Sequence, residues 1–378
     1  MSSWRTEPLG NRTINLDRRR IPVRSRDRKA GPYPYYGASG VVDHIDNYIF
    51  DGLHLLVAED GENLRSRKTP IAFLVTGQFW VNNHAHIIVA NDDNDTRYLA
   101  YALESADVSG YITGSTQPKL TQAALAAVPI TAPDATEQRA IAAVLGALDD
   151  KIESNQRAIS LAGQLLDATS EKWAALVPSV PLADLVDAQR ATLSPARLGD
   201  QVVDHYSLPA FDEKGWPDHV PASSIMSNKL IVARPSILVS RLNPRFNRTW
   251  WAVPNVEVTA LASTEFSCLE AVSRTELAGV WLAVRDADFR SELVQRVTGT
   301  SGSHQRIRPD DMLTIKVPDT RRLSEHDKNY ALNLLDLIHV RRRENVKLSA
   351  LRDALLPELL SGRIRVRQRQ RAVEEIVA

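Results

Sequence analysis

Two stretches of this 378-residue chain follow one plan. Residues 113–134 read TGSTQPKLTQAALAAVPITAPD and residues 298–319 read TGTSGSHQRIRPDDMLTIKVPD. Both open on Thr-Gly and close on Pro-Asp at the same spacing. Between these ends each carries a Gly/Ser/Thr turn, a glutamine and a basic–apolar pair (Lys119-Leu120, Arg306-Ile307). An apolar strand follows, with Val128 and Ile130 in one copy and Ile315 and Val317 in the other. Chance can produce any one of these matches, but the ordered set is a weak internal duplication. The chain is therefore expected to fold as two versions of one unit.

Each repeat runs into a long amphipathic helix. In the first, Ile141, Leu145, Leu148, Ile152, Asn155, Ile159, Ala162, Leu166, Thr169, Trp173 and Leu176 alternate steps of four and three. That is a coiled-coil seam, with polar Asn155 placed to fix register. Asp134 or Thr136 can cap its start, with Glu137 in the first turn. The second carries Leu334, Leu335, Ile338, Val346, Leu348, Leu351, Leu355, Leu356 and Leu359 on one face, and Gly362 stops it. Two such helices most simply bury their stripes on each other; two unrelated surface helices on separate cores are the alternative. Some forty residues at ~1.5 Å each make a rod of ~60 Å, long for a small domain and suited to a spacer. The remaining stretches break short apolar runs (AFLVTGQFWV, AHIIVA, SILVSRL, WWAV) with Gly, Pro, Asn and Asp turns, as mixed α/β globules do. Residues 98–107 and 279–297 read as one helix at the same place in each copy. The expected fold class is α+β, ordered globule (1–133), helix (134–176), globule (177–320), helix (321–362) and a basic C-terminal tail (363–378).

Composition narrows the function. With 43% hydrophobic residues the chain can bury real cores, and it has no run of ~18 apolar residues to span a membrane. The N-terminus lacks a secretory apolar stretch, and a single cysteine, Cys268, fits a reducing cytoplasm. Net charge is zero, yet residues 18–29, 241–248, 339–347 and 363–371 form local basic clusters. Catalytic signals are weak. Asn-Pro-Arg-Phe at 243–246 approaches the adenine-holding loop of amino-methyltransferases, but Arg245 replaces its second proline and no glycine-rich donor loop accompanies it. There is no phosphate-cradling Gly-Lys-Ser/Thr loop and no nucleophile elbow. His84 and His86 would share a strand face, but a third metal ligand is missing. The chain is expected to be no enzyme and to hold no metal or cofactor.

Binding has more support. The Gly/Ser/Thr loops offer Ser115, Thr116, Gln117 and Lys119 in one copy, and His304, Arg306 and Arg308 in the other. Backbone amides and hydroxyls beside a cation are the groups that contact DNA phosphates. Arg241, Asn243, Arg245, Asn247 and Arg248 interleave with Phe246, Trp250 and Trp251. Arginine and asparagine make bidentate contacts to guanine and adenine edges. The alternative is that the tryptophans are core and the arginines face water.

The chain resembles the DNA-specificity subunit of type I restriction–modification systems along nearly all its length. YYGASGVVDHIDNYIFDG (35–52), WVNNHAHIIVA (80–90), GSTQPKLT (114–121), PDATEQRAI (133–141), ILVSRLNP (237–244) and LRDALLPELLSGRI (351–364) carry the resemblance. The second copy departs from it, with RRLSEHD at its helix start and no Tyr-Tyr-Gly-Ala turn. The resemblance implies two target-recognition domains held apart by two antiparallel coiled-coil helices with pseudo-twofold symmetry. Each domain would read half of a split site on double-stranded DNA. The helices would set the gap and dock two methylation subunits, with Ile141, Leu145, Leu148, Ile152, Asn155, Ile159, Leu348, Leu355 and Leu356 forming the spacer. Restriction subunits complete such complexes in defence against foreign DNA, and S-adenosylmethionine, ATP and Mg belong to the partners. A non-enzymatic scaffold, or a degenerate adenine methyltransferase, are the alternative functions.

Overall fold

In the computed structural model, which describes residues 4–298 and 305–366, the chain divides into two compact units. The first comprises residues up to Asp150 together with those from Ser349 onward; the second is Lys151–Leu348. The boundaries thus fall inside the two long helices rather than at their ends. Most of the basic C-terminal tail lies outside the described residues.

The first unit contains strands β1 (Arg5–Pro8), β2 (Thr13–Asn15), β3 (Tyr33–Gly37), β4 (Gly40–Ile45), β5 (His54–Ala58), β6 (Ala72–Val75), β7 (Trp80–Val81), β8 (Ala85–Ala90) and β9 (Pro129–Ala132). Its short helices are α1 (Asn63–Ser66), α2 (Thr96–Ser105) and α3 (Gln122–Ala127). An antiparallel sheet runs β2-β8-β5-β6, β1 pairs with β9, and a smaller sheet runs β4-β3-β7. Strand β5 is buried at every residue because both its faces are covered. Leu55 and Val57 pack under α2, whereas Leu56 faces Phe50 and Phe79, as the two-residue period of a strand requires.

The long helix α4 (Ala135–Ala174) follows. The second unit holds strands β10 (Ser179–Pro181), β11 (Asp187–Gln189), β12 (Thr192–Leu193), β13 (Val202–Tyr206), β14 (Asp218–Pro221), β15 (Lys229–Ile231), β16 (Ser236–Ser240), β17 (Thr249–Ala252), β18 (Ala260–Ala262), β19 (Phe266–Glu270) and β20 (Lys316–Pro318). Among them lie α5 (Leu208–Lys214), α6 (Arg274–Arg285), α7 (Ala287–Gln295) and α8 (Pro309–Leu313), and α9 (Glu325–Leu360) closes the described chain. The sheet order β11-β19-β16-β17 repeats β2-β8-β5-β6 strand for strand, and β10 pairs with β20 as β1 does with β9. Ile237 and Val239 of β16 face one core and Leu238 another, as in β5. The remaining sheet, β12-β15-β18-β13-β14, keeps the order β7-β3-β4 as β18-β13-β14 and adds β12 and β15. The single helix expected over 279–297 is two, because Asp286 breaks it and its carboxylate accepts the amides of Asp288 and Phe289.

The two repeats start their long helices differently. Asp134 accepts the amides of Thr136 and Glu137 at 3.0 Å and caps α4. The corresponding Asp319 caps only a short 3-10 turn, and α9 begins six residues later, where Ser324 accepts the Asp327 amide and donates to its carboxylate. Inside each helix one buried polar residue fastens it to its globule. Gln138 donates to the Pro133 carbonyl and to Asn94, and accepts the Asp95 amide. At the matching place in α9, the ammonium of Lys328 reaches Glu276 at 2.6 Å and Glu325 at 3.2 Å.

Within the first unit Ile141 and Leu145 of α4 share a core with Leu359 of α9, and Arg352 reaches Asp149 at 2.9 Å. Within the second, Asn155 is buried and donates to Glu344 and Asn345 at 3.0 and 2.8 Å, while Leu166, Trp173 and Leu335 join the core. In both units residue numbers rise along one helix as they fall along the other, so the pairing is antiparallel. Leu148, Ile152, Ile159, Leu348, Leu355 and Leu356 are half-buried on the seam. Two residues leave it. Leu176 lies beyond the end of α4 and is exposed, and Leu351 points to solvent because nine leucine-type positions at these spacings exceed the width of one helical face. Gly362 ends α9 with φ +72° against Trp4. Replacing Gln138 with Leu keeps its volume but orphans the Asp95 amide and the Pro133 carbonyl. Stability should fall by about 1–3 kcal/mol in denaturant titration; an unchanged midpoint would show that the amide fastens nothing.

Candidate nucleic-acid interface

The chain leaves the central strand of each four-stranded sheet and pairs at once with the end of the repeat loop. After β5, Gly61 donates to the Pro118 carbonyl at 3.1 Å and Leu120 donates to Glu59 at 2.8 Å. After β16, Asn243 donates to Gln305 at 2.8 Å and Ile307 to Arg241 at 3.1 Å. Gly61 and Asn243 occupy this equivalent position with φ +111° and +47°, a region open to glycine and tolerated by asparagine. Reciprocal amide bonds between Thr113 and Lys119, and between Thr298 and Arg306, then pinch each loop shut. In the first loop Gly114 sits at φ +85°, and a Cβ there would lie 2.2 Å from the Gln117 carbonyl oxygen. Only glycine fits.

The pinch presents Ser115, Thr116, Gln117 and Lys119 on the surface of the first unit. Arg65 of α1 donates to the Ser115 carbonyl and adds a second cation beside them. Lys119 is not unpaired: its ammonium lies 3.2 Å from Glu59. Arg306 likewise forms a two-pronged pair with Glu265, at 3.0 Å from Nε and 2.8 Å from Nη2. This pairing holds the Glu265 carboxyl below its ordinary range, against the opposing effect of burial. Each loop therefore carries a cation already facing a glutamate.

Arg241 is half-buried, donating its side chain to the Thr264 carbonyl and its amide to Glu265. Burial pulls its pKa down while Glu265 pushes it back up. It is a strut more than a reading arm. Arg245 and Arg248 sit on Phe246, with guanidinium carbons 4.8 and 4.9 Å from the ring centroid. Phe246 is 48% exposed, and Arg248 is clamped by Asp212 through two 2.7 Å bonds. Arg245 and Arg308 are exposed, and neither has a carboxylate at ion-pair distance among the described residues. His304 lies outside the described residues. Trp250 packs edge-on to Tyr206 and Phe211, and Trp251 packs against Trp281, so both tryptophans are core.

His84 and His86 do not share a strand face as metal ligands would. His84 precedes β8 and pairs with Asp60 at 2.8 Å, while His86 is buried between Asp17 at 2.6 Å and the Leu120 carbonyl at 2.7 Å. No cluster of three metal-ligating side chains occurs among the described residues. Both ring nitrogens of His86 face acceptors, the Asp17 carboxylate and the Leu120 carbonyl. Burial alone would raise the Asp17 pKa; the His86 ring, the Ile87 amide and Arg20 outweigh it and hold the carboxyl low. Glu59 is held low in the same way, by Arg20, His86 and Lys119 against burial. This network ties Leu120, and with it the pinched loop, to the sheet. Sequence reasoning missed Asp17, Glu59, Arg65 and Glu265. Aligning VAEDGENLRSRK with VSRLNPRFNR, the runs that leave β5 and β16, would have exposed Arg65.

This plan, a globule of the same four-stranded sheet order packed on antiparallel helix segments in each unit, has a counterpart among solved proteins. The crystal structure of a type I restriction–modification system S subunit from M. genitalium superposes with a TM-score of 0.69, covering 95% of this chain and 96% of that one at 15% identity. At that identity the likeness is one of fold. Residues 13–161 match the type I restriction modification DNA specificity domain family. The match spans less than half of the chain, so the likeness to this family is that of the first globule and the first part of α4. A Haemophilus influenzae protein that bears the name of a type I restriction enzyme specificity subunit is 32% identical over 142 residues. That stretch is 38% of this chain and 36% of the relative, so the chain matches about a third of the relative's length. No helix among the described residues is long and apolar enough to cross a membrane.

Asp17→Asn should cost about 3–5 kcal/mol, the penalty typical of leaving one partner of a buried ion pair alone. The depressed carboxyl also fixes the sign of the pH response: its stabilisation is full above the unfolded value of 3.8 and is lost as pH falls through the lower folded value. Denaturant titration of the variant from pH 7 to 3 checks both, and a loss below about 1 kcal/mol at pH 7 would mean that the Asp17 contacts stabilise little.

Proposed function

We propose that this chain is the DNA-specificity subunit of a type I restriction–modification complex and is itself non-catalytic. Each globule reads one half of a split target on double-stranded DNA. The two helices set the gap and carry the methylation subunits, while restriction subunits join the assembly. S-adenosylmethionine, ATP and Mg act in those partners.

One observation carries this reading. The family match covers the first globule, and the second globule repeats its sheet order and its pinched loop, down to the cation–glutamate pair. Two equivalent reading surfaces in one chain are what a bipartite site demands. A partner surface is also available on α4, where Leu161 and Leu165 stand exposed one turn apart, flanked by Ala158 and Ala168.

Lys119 and Arg306 are the equivalent phosphate contacts, each exchanging its glutamate for a phosphate oxygen on binding. Alanine at either should weaken binding to every sequence and lower the salt slope by about one. Titration of the assembled complex with duplex DNA at several salt concentrations measures it. Altered base preference at an unchanged slope would contradict the assignment.

The spacing role has its own test. Ser170 donates to the Leu282 carbonyl at 2.7 Å and Trp173 packs in the core of the second unit, so the last turns of α4 cannot be lengthened without disturbing that unit. Four residues inserted after Asp150, with four more before Ser349, leave both cores intact. They add ~6 Å and turn the helix by ~40°. With base pairs ~3.4 Å apart, the gap should widen by about one or two pairs, and the rotation favours one. Mapping methylated sites genome-wide with the partner supplied gives the answer. An unchanged gap, or changed half-site letters, would refute the helix as spacer.

A further inference from the structure

The β3–β4 hairpin has a topological counterpart in β13–β14 of the second unit, where β13 pairs parallel with β18 as β3 does with β7, and the loops described above do not involve it. β4 is an edge strand: it pairs with β3 and with no other strand among the described residues. Near its tip Val41 and Val42 are 48% and 55% exposed, which is unusual for adjacent β-branched residues on an edge. A register shift between Tyr35 and Tyr36 places an extra residue in β4, and Gly40 turns at φ +118°. Both features twist the edge away from the flat geometry that an added protein strand needs.

The basic segment 18–29 is strapped to this hairpin. Trp80 Nε1 donates to the Ile21 carbonyl at 2.6 Å, the Val23 amide donates to the Tyr35 hydroxyl at 3.1 Å, and Lys29 accepts the Asp46 amide at 3.0 Å. Arg28 reaches Asp43 at 3.0 Å and lies over the Tyr35 ring at 4.3 Å. These anchors consume Arg28 and leave Arg18, Arg24 and Lys29 exposed, with no carboxylate at ion-pair distance among the described residues; Arg26 keeps only a 3.6 Å contact with its neighbour Asp27. Residues 18–46 hold seven lysines and arginines against three aspartates. β7 covers the far side of β3 at Tyr35 and Tyr36, so the free edge is β4. An edge ribbon with methyl groups near its tip and cations along its side matches the major groove, which admits a β-ribbon and displays the thymine methyl.

We infer that the β3–β4 hairpin enters the major groove of double-stranded DNA, where Val41 and Val42 contact a thymine methyl while Arg24 and Lys29 contact the flanking phosphates. The inference rests on the DNA-reading function proposed above and names one element that performs it.

The test uses the assembled complex of this chain with its methylation partner. Genome-wide mapping of methylated bases first defines the wild-type target. Competition binding then compares that duplex with versions in which each thymine is replaced by uracil, which removes only the C5 methyl. Wild-type complex should lose about fourfold at a thymine in one half-site, the worth of one buried methyl. The Val41→Ser, Val42→Ser double variant should be indifferent to that replacement and should relax the same letter in the methylation map. Arg24→Ala with Lys29→Ala should instead weaken all sequences alike and leave the letters unchanged. A defined target with no thymine-methyl dependence, or a dependence that survives the valine variant, overturns the hairpin assignment alone. Loss of partner assembly in the valine variant would make the edge a protein contact and overturn it too. A wild-type complex that methylates no defined sequence overturns the DNA-reading function and this inference with it.

Discussion

The long helices act on the globules only because each is fastened to its own by a buried polar side chain one turn in from its start. Gln138 does this with an amide that touches the cap of α2 and the carbonyl of Pro133; Lys328 does it with an ammonium held by Glu276 in the first turn of α6. The two solutions differ in chemistry. The amide satisfies neutral groups and costs little to bury, whereas the ammonium needs two carboxylates to offset its desolvation. Both convert a helix that apolar packing alone would let slide or rotate into one with a fixed exit direction. A hydrophobic seam gives strength without register; the buried amide and ammonium add register. Asn155 does the same between the helices, and its partners Glu344 and Asn345 leave it one position.

The two pinched loops follow a similar division between frame and variation. The pinch between Thr113 and Lys119 and that between Thr298 and Arg306 are set by backbone bonds, so they persist although few side chains agree between the copies. The glutamates that face the two cations come from different places. Glu59 follows β5, whereas Glu265 precedes β19, so the two carboxylates come from non-equivalent strands of the shared sheet order. The same electrostatic balance has thus been reached twice within one frame.

Much of the frame was legible in the sequence. The Thr-Gly and Pro-Asp markers are the residues that close a loop and start a helix, and those local duties constrain residue type strongly. The heptad seam was legible down to Asn155 because a helix prints its period on the sequence. What escaped was non-local. Nothing near Asp17 announces that it will face His86, 69 residues away, beneath the loop it stabilises. The break at Asp286 was missed because an apolar period continues through it, while the side chain that caps the next helix needs only one residue. Leu351 was misplaced because leucine spacing alone overstates how wide a buried face can be. The second unit's five-stranded sheet is built from strands of two to five residues, too short to show a period at all.

The boundary of the compact units carries a consequence for inheritance. Because it crosses α4 between Asp150 and Lys151 and α9 between Leu348 and Ser349, the second unit is a single uninterrupted stretch of chain, and the first is the material on either side. A gene segment encoding Lys151–Leu348 is therefore a self-contained cassette. Exchanging it for another of the same plan replaces one core whole, divides none, and leaves both joints in the middle of a helix, where backbone geometry is the same whatever the neighbouring sequence. Joints at the helix ends would instead separate Gln138 or Lys328 from the groups that bury them. A lineage could exchange one whole unit in a single recombination step, without passing through a folded state weaker than the one it left.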